Sequence, residues 1–473
     1  MGNQWAISGV DLHVRALGPR VRAGLEDALR EAVRDGRLAA GARLPSSRAL
    51  ALDLGLARNT VAEAYSQLVA EGWLIAKQGS GTRVAPQPGE ALPSSGSRAP
   101  GTSRGTPASV ELRHDLRPGS PDLAAFPRAA WLSASRRALA TAPPDALGYR
   151  FPEGRPELRT ALAEYLARAR GVVADPERIV VCGGFAQALC LACEALAARG
   201  ASTLAIERHG LADHRQIALR RGLRTRALTI DAAGADTGAL AGSGADAVLL
   251  TPAHQFPLGV ALAPERRAQA VRWASAGART VIEDDYDGEF RYDRQPVGAM
   301  QALAPDRVIY AGTASKSLGP GLRIAWLVLP DDLHVHVLEA QQLLRGGPDA
   351  VAQLTLAELI RAGAYDRHVR RSRLAYRRRR DRLLSTLSRE APRVRVDGIA
   401  AGLHALVRLP PGTSESDVIA RAATRGLALS GLESFTDGPP SGSPALVIGY
   451  GTPPEHGYTA AIARRVAVLA ELG

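Results

Sequence analysis

The sequence predicts an α/β protein in two parts: a small helical unit with a β-hairpin, then a large unit built on a mostly parallel sheet. Three observations carry this. After Asp115, short apolar strands alternate with helical runs, the pattern of a parallel sheet, whose crossovers each take a helix. Ahead of residue 85, three helix-period segments are followed by two short strand patterns. Between the two parts, nineteen of the twenty-four residues 86–109 are Pro, Gly, Ser, Thr or Ala, which leaves no apolar period to fold around. The expected organisation is 1–85, a flexible linker over 86–114, and 115–473. As a coil, such a linker spans on the order of 27 Å, enough for the two units to move independently.

At 473 residues the chain exceeds one ordinary domain. It has no 18-residue uncharged apolar run, and its start, Met-Gly-Asn-Gln-Trp, lacks the basic-then-apolar form of a signal peptide. A cytoplasmic protein with no membrane contact is expected. Three cysteines exclude a disulfide framework. Cys190-Leu-Ala-Cys193 has redox spacing but lies in an Ala/Leu-rich helical run, where one buried helix face explains it. The net charge of +12 suits an anionic partner such as nucleic acid. Nine arginines fall within residues 367–382; around a helix they read as a solvated face, with Leu374, Leu383 and Leu384 as its apolar contacts.

In the N-terminal unit, Val21, Leu25, Ala28, Leu29, Ala32 and Val33 repeat at helical spacing up to Gly36. Pro45-Ser46-Ser47 opens a second helix, with Ser46 or Ser47 as its cap, and Gly55-Leu56 turns the chain. A third helix, 58–71, buries Val61, Tyr65, Leu68 and Val69 and exposes Arg58, Asn59 and Thr60 in its first turn. Two short helices about a glycine turn describe a helix-turn-helix, and the strands around Gly79-Ser-Gly81 make a small wing. Gly41-Ala-Arg-Leu-Pro-Ser-Ser-Arg-Ala-Leu50 with Ala57-Arg-Asn-Thr-Val61 resembles the winged helix-turn-helix of GntR-type repressors over residues 12–85. Arg43, Ser46, Arg48, Arg58, Lys77 and the wing amides, Gly79 among them, then suit phosphate, while Asn59 and Thr60 suit base edges. Ala57 stands where that family usually has a capping Ser.

The C-terminal unit carries its chemistry where strands end. Gly183-Gly-Phe-Ala joins a strand to a helix, so its amides face an anion. Glu283-Asp-Asp-Tyr-Asp-Gly-Glu-Phe290 ends another strand in clustered acids; metal ligation is the rival use, but no histidine pattern accompanies them and no metal is expected. Only two of the 59 basic residues are lysines, Lys77 and Lys316. Lys316 follows a strand in the turn Ala311-Gly-Thr-Ala-Ser-Lys-Ser-Leu-Gly-Pro-Gly-Leu-Arg323. An amine that can form an imine, which Arg cannot, near small hydroxyls and a guanidinium suits pyridoxal phosphate.

That stretch resembles the lysine motif of the type I aminotransferase fold. With Glu-Asp-Asp-Tyr-Asp and His254-Gln-Phe-Pro-Leu-Gly259, the order of motifs resembles the MocR subfamily, a GntR-type winged helix fused to a type I aminotransferase-like domain with a small C-terminal α+β subdomain. The resemblance implies that Lys316 bonds the cofactor as a Schiff base and that Thr313, Ser315, Arg323 and the amides of Phe185 and Ala186 hold its phosphate. It further implies Asp284 on the pyridine nitrogen, Tyr286 on the phenolic oxygen, and Tyr149 reaching a phosphate across a homodimer. The function so implied is a regulator that binds a double-stranded DNA operator and senses a vitamin B6 vitamer, an amine or an amino acid; the alternative is a working aminotransferase. Two departures stand out. His209-Gly-Leu211 replaces a Pro-Gly-Tyr whose ring stacks on the cofactor, leaving Leu211, His209 or His214 for that place, and the late strand Leu446-Val-Ile-Gly449 lacks the arginine that grips a substrate carboxylate.

Overall fold

The computed structural model describes residues 6–7, 10–11, 21–77, 81–86, 114–148, 151–292, 297–344, 347–439 and 442–470. The chain forms two compact units, 1–106 and 107–473, each with its own core.

In the first unit, α1 (Val21–Arg34), α2 (Ser47–Leu54) and α3 (Arg58–Ala70) pack around Leu25, Leu29, Leu50, Val61, Tyr65 and Leu68. Ser46 is the cap of α2, its hydroxyl accepting from the Ala49 amide at 3.2 Å. Gly55 closes α2 in the left-handed region, which a side chain would strain. Strands Leu74–Lys77 and Gly81–Val84 pair antiparallel as the wing. A third edge was not evident in the sequence: Leu44 donates to Thr82 and Val84 to Ala42, so the residues before α2 extend the wing. Tyr65 fixes them to α3 through a 3.1 Å bond to the Pro45 carbonyl. Ala57 sits at the α3 cap position in extended backbone with no side-chain cap. Ala57→Ser is therefore expected to stabilise α3 by about 1 kcal/mol, slowing exchange of its amides roughly fivefold. Unchanged exchange would show that the position does not accept a cap.

The second unit is built on a seven-stranded sheet in the order Ile179–Cys182, Ala325–Val328, Val308–Thr313, Thr280–Asp285, Ala247–Leu250, Thr203–Glu207, Arg224–Leu228. Only Ala325–Val328 runs antiparallel to its neighbours. The strands between the two edges are buried throughout because alternate residues serve opposite faces, both of them covered. Val180, Cys182, Leu204, Ile206 and Leu327 pack with α6 (Phe185–Ala198), α7 (Ala212–Arg220) and α9 (Asp331–Leu344). Ile179, Val181, Tyr310, Trp326 and Val328 pack on the other face with α4 (Arg128–Thr141), α5 (Pro156–Arg170) and α10 (Ala350–Arg361), and Val248 and Val281 pack with α8 (Pro264–Ala276). Cys193 is buried in the first of these layers, and Cys190 accepts from the Arg221 Nε at 3.0 Å. The long helix α11 (Ala364–Glu390) leads to a four-stranded sheet, Arg395–Asp397, His404–Arg408, Ala445–Gly449 and Ser430–Gly431, flanked by helices Glu415–Thr424 and Glu455–Ala470.

Two expectations are corrected. Leu374 is 56% exposed and is not an apolar contact of the arginine-rich helix; Val369, Tyr376, Leu383 and Leu387 are. Arg379 is not on the solvated face but buried, donating to Asp122 at 2.6 Å and to Glu455 at 2.9 Å. At the expected linker's end, His114 already pairs beside Leu427; residues 87–113 lie outside the described residues. No helix among the described residues is long and apolar enough to cross a membrane.

Candidate functional site

In the second unit, five strands end around one cavity of about 350 Å³. Gly183 follows the first of them, Glu207 and Asp284 lie at the ends of two more, Thr251 follows a fourth, and Thr313 ends the fifth. Lys316, Asp284, Tyr286, Thr313, Ser315, Arg323, Phe185 and Ala186 all line it, so eight of the nine residues assigned to the cofactor come together. The ninth, Tyr149, lies outside the described residues.

Adjacent acids, alike in the sequence, have separate roles. Glu283 accepts from the Met300 and Gln301 amides, both at 2.8 Å. Asp285 accepts from Arg170 at 2.7 and 3.0 Å and from the Tyr310 hydroxyl at 2.7 Å. Asp287 pairs with His254 Nδ1 at 2.8 Å, and the same nitrogen lies 3.2 Å from the Tyr286 hydroxyl. Asp284 alone of these acids lines the cavity, and its Oδ1 is buried without a hydrogen-bond partner. Burial pushes its carboxyl well above the usual range, reinforced by Asp285 and opposed by Lys316. A buried acceptor left unpaired costs about 1–3 kcal/mol, so the site is complete only with a donor set against it.

Lys316 is half-buried and donates to the Gly119 carbonyl at 2.5 Å. Burial lowers its pKa, and Asp284 and Asp287 act in the opposite sense. A free amine is thereby favoured over an ordinary surface lysine. The anion end lies at the start of α6, where Phe185 and Ala186 carry amides with no intrahelical partner. Gly184 has φ of 101°, and a Cβ there would come within 3.0 Å of the Arg323 guanidinium, so only glycine lets the two approach. Arg323 itself has φ of 53°, left-handed backbone that a non-glycine residue adopts at a cost. Its guanidinium makes no hydrogen bond or ion pair among the described residues. Thr313 donates to Ser315 at 2.9 Å beside it.

The aromatic position holds three residues: Leu211, 43% exposed, His209, and His214, whose ring packs 5.0 Å from that of Phe185. Arg323 is the one arginine lining the cavity among the described residues. Among the lining residues not anticipated are Glu207 and His404. Glu207 accepts from Thr251 at 2.5 Å, and His404 donates from Nε2 to the Pro257 carbonyl at 3.2 Å. A charged residue closing an apolar strand, as in Thr203–Glu207, was the available signal for the first; His404 had none. His254, Asp287 and His404 bring one ligand atom each within 4.8 Å, a grouping drawn from three separate segments.

Burial pushes the Glu207 carboxyl from 4.5 up to about 7. Its contribution to stability is complete below pH 4.5, is lost as pH rises through about 7, and is flat beyond, because the folded chain holds a proton that the unfolded chain releases. The Tm of Glu207→Gln minus that of the wild type is expected to rise between those limits and then level. A difference independent of pH would contradict this protonation.

In the first unit, Arg43, Ser46, Arg48, Arg58 and Asn59 are exposed or half-buried, and Thr60 is half-buried. Arg43 bridges to Arg83, an arginine not anticipated, on the wing strand. Lys77 ends the first wing strand, and Gly79 lies outside the described residues.

A winged helix-turn-helix whose recognition helix exposes Arg58 and Asn59, joined to an aminotransferase fold, defines a class of two-unit helix-turn-helix proteins. The profile of the bacterial regulatory proteins of the gntR family matches residues 22–84, and that of aminotransferase class I and II matches 118–436. The pyridoxine biosynthesis transcriptional regulator PdxR of Corynebacterium glutamicum is 34% identical over 90% of this chain and 91% of its own. The probable rhizopine catabolism regulatory protein MocR of Rhizobium meliloti is 32% identical over 90% and 89%. LysN, an alpha-aminoadipate aminotransferase of Thermus thermophilus solved with N-(5'-phosphopyridoxyl)-L-leucine, gives a TM-score of 0.67 at 25% identity over 77% of this chain and 93% of that one. The chain belongs to the MocR subfamily of GntR-type helix-turn-helix transcriptional regulators.

Proposed function

We propose that this regulator binds a DNA operator through its winged helix and holds pyridoxal phosphate on Lys316, reporting the cofactor, or an amine or amino acid that exchanges with it, to the DNA. The observation that carries the cofactor is the buried, unpartnered Oδ1 of Asp284, a residue that lines the same cavity as Lys316. A pyridinium N–H is the donor it lacks. When bound, pyridoxal phosphate supplies an aldehyde that an amine can bond and a ring that withdraws electrons. The chain's own residues do the rest. Arg323, Thr313, Ser315 and the Phe185 and Ala186 amides hold the phosphate, Asp284 orients the ring, and Tyr286 donates to the phenolic oxygen, its hydroxyl steadied by His254. The cofactor bound in the LysN complex supports this reading.

The chain acts as a homodimer in this proposal, each Tyr149 reaching the partner's phosphate; a monomer in sedimentation that retains cofactor would refute that part. Sensing is favoured over turnover because no second arginine among the described lining residues is available to grip a substrate carboxylate.

On DNA, Arg43, Ser46, Arg48, Arg58, Lys77 and the wing amide of Gly79 contact phosphate in this proposal, and Asn59 and Thr60 read bases. Arg58→Ala and Arg43→Ala are each expected to weaken binding and to reduce the salt slope by about 1, while Asn59→Ala mainly relaxes sequence preference. The measurement is binding to DNA selected by the wild-type protein from a random pool, at several salt concentrations. Unchanged affinity in both arginine variants would sink the interface.

A further inference from the structure

A second cavity, of about 510 Å³, lies behind the turn that carries Asp284 and Tyr286. Its walls are the end of α5, residues 288–292, and one side of α11. Arg370, Arg373 and Arg377 line it from α11, spaced so that they share a helix side, and Arg168 and Arg291 face them. The acids that line it are Asp366 and Glu289. Asp366 is taken up by Arg168, at 2.8 and 3.1 Å. Burial brings the Glu289 carboxyl up to about 7, so its negative charge is only partly present near neutral pH. Arg373 is held in place by its 2.7 Å bond to the Glu289 carbonyl. Arg370 makes no hydrogen bond or ion pair among the described residues. Like charges gathered in a concave site repel, and guanidinium forks match the oxygens of a phosphate in pairs.

We propose that this cavity is a second ligand site, which binds a small phosphorylated solute. It is separate from the site of Arg323, but its floor, Gly288 and Glu289, continues the turn that begins at Asp284. Arg170 spans the two, lining this cavity while paired with Asp285 beside Asp284. Extended nucleic acid is the less suitable occupant, because the arginines converge on a hollow walled by three elements and not on an open ridge.

Pyrophosphate is the probe, titrated calorimetrically into the full chain, into Arg370→Gln/Arg377→Gln and into Arg323→Gln. Both α11 side chains are exposed, so their replacement is expected to leave the melting temperature unchanged. Wild type and Arg323→Gln should bind pyrophosphate alike, and the double variant at least tenfold more weakly. Should the double variant lose its fold, Arg370→Lys/Arg377→Lys keeps the charge, and it should bind more weakly than wild type because the paired contacts are gone. Loss of binding in Arg323→Gln, unchanged binding in the α11 variants, or no binding to wild type would each overturn the site. So would α11 variants that lose affinity for the selected DNA while binding pyrophosphate normally, which would assign these arginines to nucleic acid.

Discussion

Lys316→Ala is expected to abolish covalent retention of pyridoxal phosphate. After borohydride reduction, the wild-type chain should gain one cofactor mass on Lys316, and the variant none. Of the side chains lining the cavity, this one alone can form an imine. The chain has one other lysine, Lys77, in the wing of the other unit. An arginine stays protonated and forms no imine, so Lys316→Arg should fail equally. Burial around Lys316 lowers its pKa, which raises the fraction of free amine. The Arg323 guanidinium, the α6 amides and Asp284 remain in the variant, so the cofactor should still bind reversibly, without the covalent link. Cofactor trapped on Lys77 or on the N-terminal amine, or a variant that traps as much as wild type, would refute the assignment.

Much of this site was legible in the sequence because its residues are carried by short local motifs. A lysine kept in an arginine-rich chain, a glycine pair before α6 and acids at a strand end each carry their chemistry within a few residues. Placement at the carboxyl ends of parallel strands then brought them together, as the alternation of strands and helices required. What escaped notice depends on long-range packing. The run from Glu283 to Glu289 does not say which acid faces the cavity. Arg170, Tyr310 and the amides of residues 300 and 301 decide that by satisfying the acids on either side of Asp284. The nine arginines of residues 367–382 look equivalent until Asp122 and Glu455 draw Arg379 inward. Arg83 joins the basic surface only because residues 41–44 fold back as a third wing edge. His254 and Asp287 meet His404 from a segment far along the chain, which no spacing reveals.

Occupancy of the Lys316 cavity is proposed to alter DNA affinity. A ligand shifts such an equilibrium only by binding one state of the protein better than another. By reciprocity, whatever the ligand does to DNA affinity, DNA does to ligand affinity, and couplings of about 1–3 kcal/mol, roughly 5- to 150-fold, are usual. The direct measurement is a titration of the selected DNA with apo protein, with protein loaded with pyridoxal phosphate, and with loaded protein given an amine, for wild type and Lys316→Ala in parallel. The wild-type curves are expected to separate by a factor within that range, while Lys316→Ala binds the DNA but loses most of the separation. Wild-type curves that coincide under every vitamer and amine would contradict it.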